Sequence, residues 1–406
     1  MKRALIWLCV LAFGALVSPK LAVAQDWPQW RGQNRDAKVD GFTPPATWPE
    51  ELTQVWQVNV GDGVSTPALV GDRMYVFARQ GDDEVTLCLD AKTGEEIWRD
   101  AYSVGGADGP ARGFAGPRSS PAVVNGKVCN FGVRGTVSCL NAEDGSVLWR
   151  HEEVGEFPRF YTSSSPIIVN DLCICQLGGE REGSIVAYNL DSGEVQWSWD
   201  GDGTAYASPI LFEMEAGKVL LAETASKILA LNVADGEVIW EMDYEVTGRG
   251  YNASTPTQNG QMLLFSGSNR GTTAMKLSME GGDLTATELW HNEDNSAMYN
   301  SPIVKGELVF GLTSRDSLFC INAESGETMW NEDFRGRRGY GNIVDAGDVL
   351  FAITPNSELL VYKPTAEFEE IARFQVSEGQ TYAYPIIAGN RIFIKDDENL
   401  TLFTIE

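Results

Sequence analysis

Between residues 119 and 149, short apolar runs alternate with glycine-containing turns. Apolar residues dominate 121–124, Asn125-Gly126 marks a turn, and 128–133 is a second run. Arg134-Gly135 then turns the chain into 136–140, and the segment 142–145 leads into Val147-Leu148-Trp149. Runs of this length, bounded by Gly, Asn and Asp, predict four strands joined by three tight turns. Gly126, Gly135 and Gly145 stand where such turns need positive φ.

The pattern recurs along the chain. Its opening proline returns at Pro67, Pro121, Pro166, Pro209, Pro256, Pro302 and Pro385, and a copy without it starts at Asn342. Its closing tryptophan returns at Trp98, Trp149, Trp197, Trp240, Trp290 and Trp330, with Phe374 in the seventh place. A turn such as Asn141-Ala142-Glu143-Asp144-Gly145 puts a glycine four residues before the tryptophan. The last copy, 385–406, ends before a fourth strand, whereas 52–58 reads as a fourth strand, Trp56 included, with no first three before it. Pairing the two predicts an all-β, eight-bladed β-propeller of four-stranded antiparallel blades, closed by an N-terminal strand in the C-terminal blade. One large ring per blade, on its outer strand, is expected to pack against the neighbouring blade. In the fifth blade, 277–288 is expected to lengthen the third turn.

Composition adds a compartment to this fold. The chain of 406 residues is 43% hydrophobic, enough for a large core. Residues 1–24 run from Lys2-Arg3 through an apolar stretch to Ala22-Val23-Ala24, the pattern of a secretory signal cleaved near Ala24. The expected organisation is thus a signal peptide (1–24), a leader packing on the propeller (25–51, with Trp27 and Trp30), and the propeller itself (52–406). No later run is long enough to span a membrane. The formal charge of −26 disfavours nucleic acid and anionic membranes as partners.

Cysteines and histidines are few. Cys88, Cys139 and Cys320 fall at one place in the repeat, where other copies have Ala187, Ala230 and Ala274, so a small buried residue is wanted there. Cys129 and Cys139 flank one hairpin and could pair, while Cys173 and Cys175, two apart on a strand, are expected to face opposite sides. His151 and His291 merely follow the strand-ending Trp149 and Trp290, so no metal site and no catalytic triad is expected.

In this strand order, the loops entering the inner strands share one face with the loops between second and third strands. That face collects arginines, among them Arg79, Arg118, Arg134, Arg249, Arg270, Arg337 and Arg338. Just before the inner strands, nearest the axis, tyrosine recurs at Tyr161, Tyr206, Tyr251, Tyr299, Tyr340 and Tyr382. Tyrosine rings with a few guanidinium forks suit a planar or carboxylated ligand, or an acidic peptide or glycan segment. The candidate binding residues are therefore Arg118, Arg249, Arg337 and Arg338 with these six tyrosines, and no catalytic residue is assigned.

The unit Ser-x-Pro…Gly…(Asp/Asn)-Ala-x-x-Gly-x-x-x-Trp resembles the repeat of the pyrroloquinoline quinone (PQQ)-like propellers over residues 52–406. The stretch 26–36 is similar to the leader of a group of secreted bacterial proteins with this repeat. The family includes quinoprotein dehydrogenases and non-enzymatic envelope members of the BamB type. The chain lacks the adjacent cysteine pair typical of quinoprotein alcohol dehydrogenases, and no position matches their calcium ligands or catalytic Asp. The resemblance thus implies a non-catalytic periplasmic or secreted scaffold without a cofactor. It would bind a protein or an acidic ligand at the loop face, as a monomer or within an envelope complex. A quinone-dependent oxidoreductase using PQQ and calcium is the alternative, and a carbohydrate-binding propeller a third reading.

Overall fold

A computed structural model describes residues 26–405 except 153–154, 215–216, 247, 249, 282 and 335–339. The signal-peptide expectation therefore lies outside the described residues. The described strands form eight four-stranded antiparallel sheets. Seven are built from strands consecutive in the chain, such as Ala122–Val124, Lys127–Phe131, Val137–Asn141 and Val147–His151. The eighth joins Thr53–Asn59 to Asn399–Thr404, Arg391–Lys395 and Ile386–Ala388, so the ring closes as the repeat count requires. Lys395 locks this closure from inside, its Nζ donating to the carbonyls of Gly63 at 2.8 Å and Asp396 at 2.7 Å.

The repeated tryptophan and glycine meet across the seams between blades. The Trp98 indole donates to the Ala142 carbonyl of the next blade at 3.2 Å, and Trp149 does the same to Leu190 at 3.0 Å. Trp197 and Trp290 bond Val233 and Ala323 in the same way. The glycine lies against the ring: a Cβ on Gly145 would stand 2.5 Å from Trp98, and one on Gly193 2.7 Å from Trp149. The small residue of the third strand faces its own blade's tryptophan, as in Cys88↔Trp98, Ala230↔Trp240 and Cys320↔Trp330. In blades one to six this residue is Cys or Ala, whereas Leu402 faces Trp56 in the closing blade and Val361 takes the place in blade seven. In blade seven the equivalent register is held by Ala372, two residues before the Phe374 that the pattern assigned. Phe374 is buried and packs 6.2 Å from Trp48 of the leader, which adds aromatic bulk to this blade.

A β-bulge accompanies each of these positions. In blade one, Cys88 pairs with Trp98 and Leu89 with Glu96, leaving Ile97 as the extra residue. The same slip leaves Val55, Leu148, Ile239, Leu289 and Met329 unpaired. All six side chains are exposed, because the extra residue of a bulge turns away from both sheet neighbours.

Around the axis, the residue before each proline supplies a second closure. Its N–H donates to the hydroxyl at the same position of the next blade. The chain of bonds runs Tyr384 to Thr66, then Ser120, Ser165, Ser208, Thr255 and Ser301, each 2.8–3.0 Å long. Pro has no N–H to compete, and it holds the preceding residue extended so that its amide points sideways. Blade seven lacks this proline, and there the side-chain amide of Asn342 donates from its Nδ2 to the Tyr382 carbonyl.

The leader crosses beneath this girdle. Trp27 exchanges backbone bonds with Leu69 of blade one, and the Pro28 carbonyl accepts from Val123 of blade two. Buried Arg35 donates to the carbonyls of Ser165 and Pro166 in blade three, and buried Arg31 to Thr257 and Pro302 of blades five and six. Asp345 of blade seven pairs with the backbone on both sides of Lys38. Burial pulls the Arg35 guanidinium down to about 9, with the charge of Arg31 adding to the effect.

Two expectations are corrected. Cys173 and Cys175 share one side, both buried in the cluster that holds Cys129 and Cys139, because strand side chains alternate with period two and return to the same face at i+2. The insertion in blade five lengthens strands rather than the turn. Thr272–Glu280 and Asp283–Asn292 pair continuously through Leu277↔Ala286 to Glu280↔Asp283.

Candidate functional site

The loops entering the inner strands surround an axial funnel of about 490 Å³. Its floor is the Trp30 ring, packed edge-on against Tyr384 at 6.0 Å, with the guanidiniums of Arg31 and Arg35 lying 5.5 and 5.3 Å from it. The leader thus makes the funnel blind. The hydroxyl girdle forms the next layer, with Thr66, Ser120, Ser208, Thr255 and Ser301 all in the lining. Ser120, at the front edge of its repeat, accordingly serves ring closure.

Five of the six expected tyrosines line the funnel mouth: Tyr206, Tyr251, Tyr299, Tyr340 and Tyr382. They form two arcs. In one, Tyr299 stacks on Tyr340 at 4.7 Å, Tyr340 meets Tyr382 edge-on at 4.8 Å, and Tyr382 meets Phe114 at 5.0 Å. In the other, Tyr251 packs edge-on against Phe160 at 5.1 Å and Tyr206 at 5.6 Å. Tyr206 donates to Glu180 and accepts from the Phe160 amide, and burial raises its phenol above the ordinary value.

Tyr161 is the exception. Its φ of 65° swings the side chain out of the funnel, where it stacks on Phe157 at 4.5 Å and donates to Asp108 at 2.5 Å. Arg134 lies over the same ring and donates to Gly105 and Gly106. Arg249, Arg337 and Arg338 lie outside the described residues. Arg118 lines the funnel as expected and is the one charged residue in its described lining. Its guanidinium donates to the Phe114 carbonyl at 2.7 Å and, at longer range, to Gly116 and Ala111. Burial lowers it from its ordinary value, against the opposing charge of Asp62. Arg118 is thus a desolvated cation among aromatic walls, with the carboxylates of Asp62 and Glu84 acting on it from outside the described lining.

Trp30, Phe114, Phe160 and Tyr384 were not singled out from the sequence as site residues. Tyr384 carried a signal, since it replaces the pre-proline hydroxyl residue of the other blades. Phe114 and Phe160 carried none, as they lie in loops outside the repeat. The described lining contains no Asp, Glu, His or Cys. Calcium takes carboxylate and carbonyl oxygens at close range, so this lining does not fit a calcium–quinone pair. Among the described residues, no cluster of three or more potential metal ligands occurs. No described helix is long and apolar enough to cross a membrane.

Outside the funnel, Glu223 is fully buried and neither carboxylate oxygen has a hydrogen-bond partner among the described residues. Burial raises its carboxyl well above the usual range, only partly opposed by Arg270. With a folded value above the unfolded one, the folded state binds more protons, so stability falls as pH rises from the unfolded value of 4.5 upward. Glu223→Gln should therefore raise the melting temperature at pH 7.5, by roughly 1–3 °C, and change it little at pH 4. Melting curves at the two pH values check this, and an equal shift at both would show that ionisation plays no part.

The family model described as outer membrane protein assembly factor BamB matches residues 49–199 and 179–332. The outer membrane protein assembly factor BamB of Shewanella oneidensis is 23% identical over 363 residues, covering 84% of this chain and 85% of that protein. Among solved structures, BamB from Moraxella catarrhalis superimposes with a TM-score of 0.65 at 17% identity, over 87% of this chain and 98% of that one. A europium-containing methanol dehydrogenase superimposes with a TM-score of 0.73 at 13% identity, over 94% and 98%. At such identities the two structures speak to the fold alone.

Proposed function

The chain belongs to the family of the outer membrane protein assembly factor BamB, and from that premise we propose that it is a non-catalytic binding scaffold of the bacterial envelope whose axial funnel receives an anionic segment of its partner. The observation that carries this reading is the blind, tyrosine-walled funnel with Arg118 as the one charge in its described lining. Binding needs such a surface. The groups in the described lining that could transfer a proton or attack are Tyr, Ser and Thr hydroxyls, and no carboxylate, imidazole or thiol of that lining stands beside them to activate one.

The test is capture from detergent-solubilised envelopes by the tagged protein. The intact chain is expected to retain envelope assembly proteins, and Arg118→Met to retain at least about tenfold less, the loss of one charge-assisted hydrogen bond. Its melting temperature should stay within a few degrees, because the methionine keeps the packing of the stem. Undiminished capture by Arg118→Met would remove the funnel from the reading. Incubation with PQQ and calcium covers the alternative: dye reduction with alcohols or sugars would overturn the non-catalytic assignment.

A further inference from the structure

The seam between blades two and three holds four thiols in one buried cluster: Cys129 and Cys139 from blade two, Cys173 and Cys175 from blade three. The Cys129 sulfur lies near enough to those of Cys139 and Cys173 for each to act on its ionisation, and Cys173 stands in the same relation to Cys175. Each is a free thiol in the structure. No other seam gathers thiols in this way among the described residues, since Cys88 and Cys320 lie in separate clusters.

The three contacts differ in geometry. Cys129 and Cys139 are direct cross-strand partners. Their Cβ atoms project in parallel from neighbouring strands, about 4.5–5.5 Å apart, where a disulfide wants about 3.8 Å. Cys173 and Cys175 also project in parallel, at a spacing of about 6.7 Å for two residues of strand. Cys129 and Cys173 come from the facing sheets of two blades and are buried in the one cluster between them. We propose that Cys129 and Cys173 are an oxidisable pair that forms a covalent staple between blades two and three.

The staple forms during folding, because the closed seam shuts both sulfurs away from any oxidant. A thiolate of the pair attacks a disulfide-bearing oxidant, a small-molecule disulfide or a thiol oxidase, and releases one carrier thiol. The second cysteine then displaces the other carrier sulfur. Two cysteine thiols are oxidised, the carrier disulfide is reduced to two thiols, and the two protons end on the carrier. The bond links residues 44 positions apart and adds a covalent tie to a seam otherwise closed by Trp149 and Gly193. This goes beyond the scaffold reading and does not depend on it.

The experiment refolds the full chain in a mixture of reduced and oxidised glutathione, then blocks free thiols under denaturing conditions and maps peptides by mass spectrometry. The expected product joins the Cys129 and Cys173 peptides and melts about 5 °C above the reduced protein. Cys139→Ser and Cys175→Ser should keep that linked peptide, and Cys129→Ser and Cys173→Ser should lose it together with the thermal gain. Full blocking of both thiols after oxidising refolding, or dominant Cys129–Cys139 or Cys173–Cys175 pairing, overturns the proposal. Peptide mapping of the unmutated chain decides this even where a variant folds poorly.

Discussion

A chain lacking residues 26–60 is expected to lose the cooperative unfolding transition of the intact protein and to aggregate at temperatures where the intact chain is folded. The deletion removes the strand Thr53–Asn59 and so exposes the whole edge of Asn399–Thr404. It removes Trp56 from Phe393, 6.0 Å away, and takes the leader from beneath the girdle. Arg31 and Arg35 then no longer tie blades three, five and six together. Trp30 no longer closes the axial channel. A ring of sheets buries its core only when closed, so these losses act on the ring as a unit. Calorimetry of the two chains checks the point. A single transition within a few degrees of the intact protein would show that closure contributes little.

Gly145→Ala carries the second large effect. The turn at 141–145 is built by the Asn141 side chain accepting from the Glu143 amide, and it brings Gly145 to a φ of 75°. An alanine there meets the left-handed cost of about 1–2 kcal/mol and a Cβ 2.5 Å from the Trp98 ring. Trp98 has no room to retreat, since its indole is held by the Ala142 carbonyl. Overpacking of this kind costs about 1–3 kcal/mol more, so the variant should lose about 2–5 kcal/mol. Gly126→Ala is the control. Its φ is 73°, but a Cβ there meets nothing within 4 Å, so its loss should stay near the left-handed cost alone. Denaturant midpoints measure both, and equal losses would remove the seam contact from the explanation.

The repeat could be read from the chain because its marks each answer a local demand. Proline frees and orients the preceding amide, glycine permits the left-handed turn, and tryptophan fills the seam. Their partners could not be read. Nothing in the spacing of Gly145 and Trp149 says that the glycine meets the tryptophan of the preceding blade, Trp98. The pre-proline hydroxyls stood in the sequence as a pattern, yet their bond to the neighbouring blade exists only once the ring is closed.

The site was legible to the same degree. Loop order placed five tyrosines and Arg118 around the axis, because topology decides which turns share a face. Tyr161 departed through a single backbone angle that spacing does not encode. Cys173 and Cys175 were assigned to opposite sides although strand alternation puts positions i and i+2 together, and the buried cluster shows them side by side. Trp30 was legible as part of a leader that packs on the ring, though not as the floor of a funnel.

The bulge before each outer-strand tryptophan or its equivalent bears on the company this protein keeps. Eight rims, each an open row of amides and carbonyls flanked by apolar side chains such as Val55 and Leu289, would otherwise invite stacking of one molecule on another into filaments. The slipped residue breaks the two-residue rhythm that an incoming strand must match. A concentrated solution should therefore stay free of such fibres.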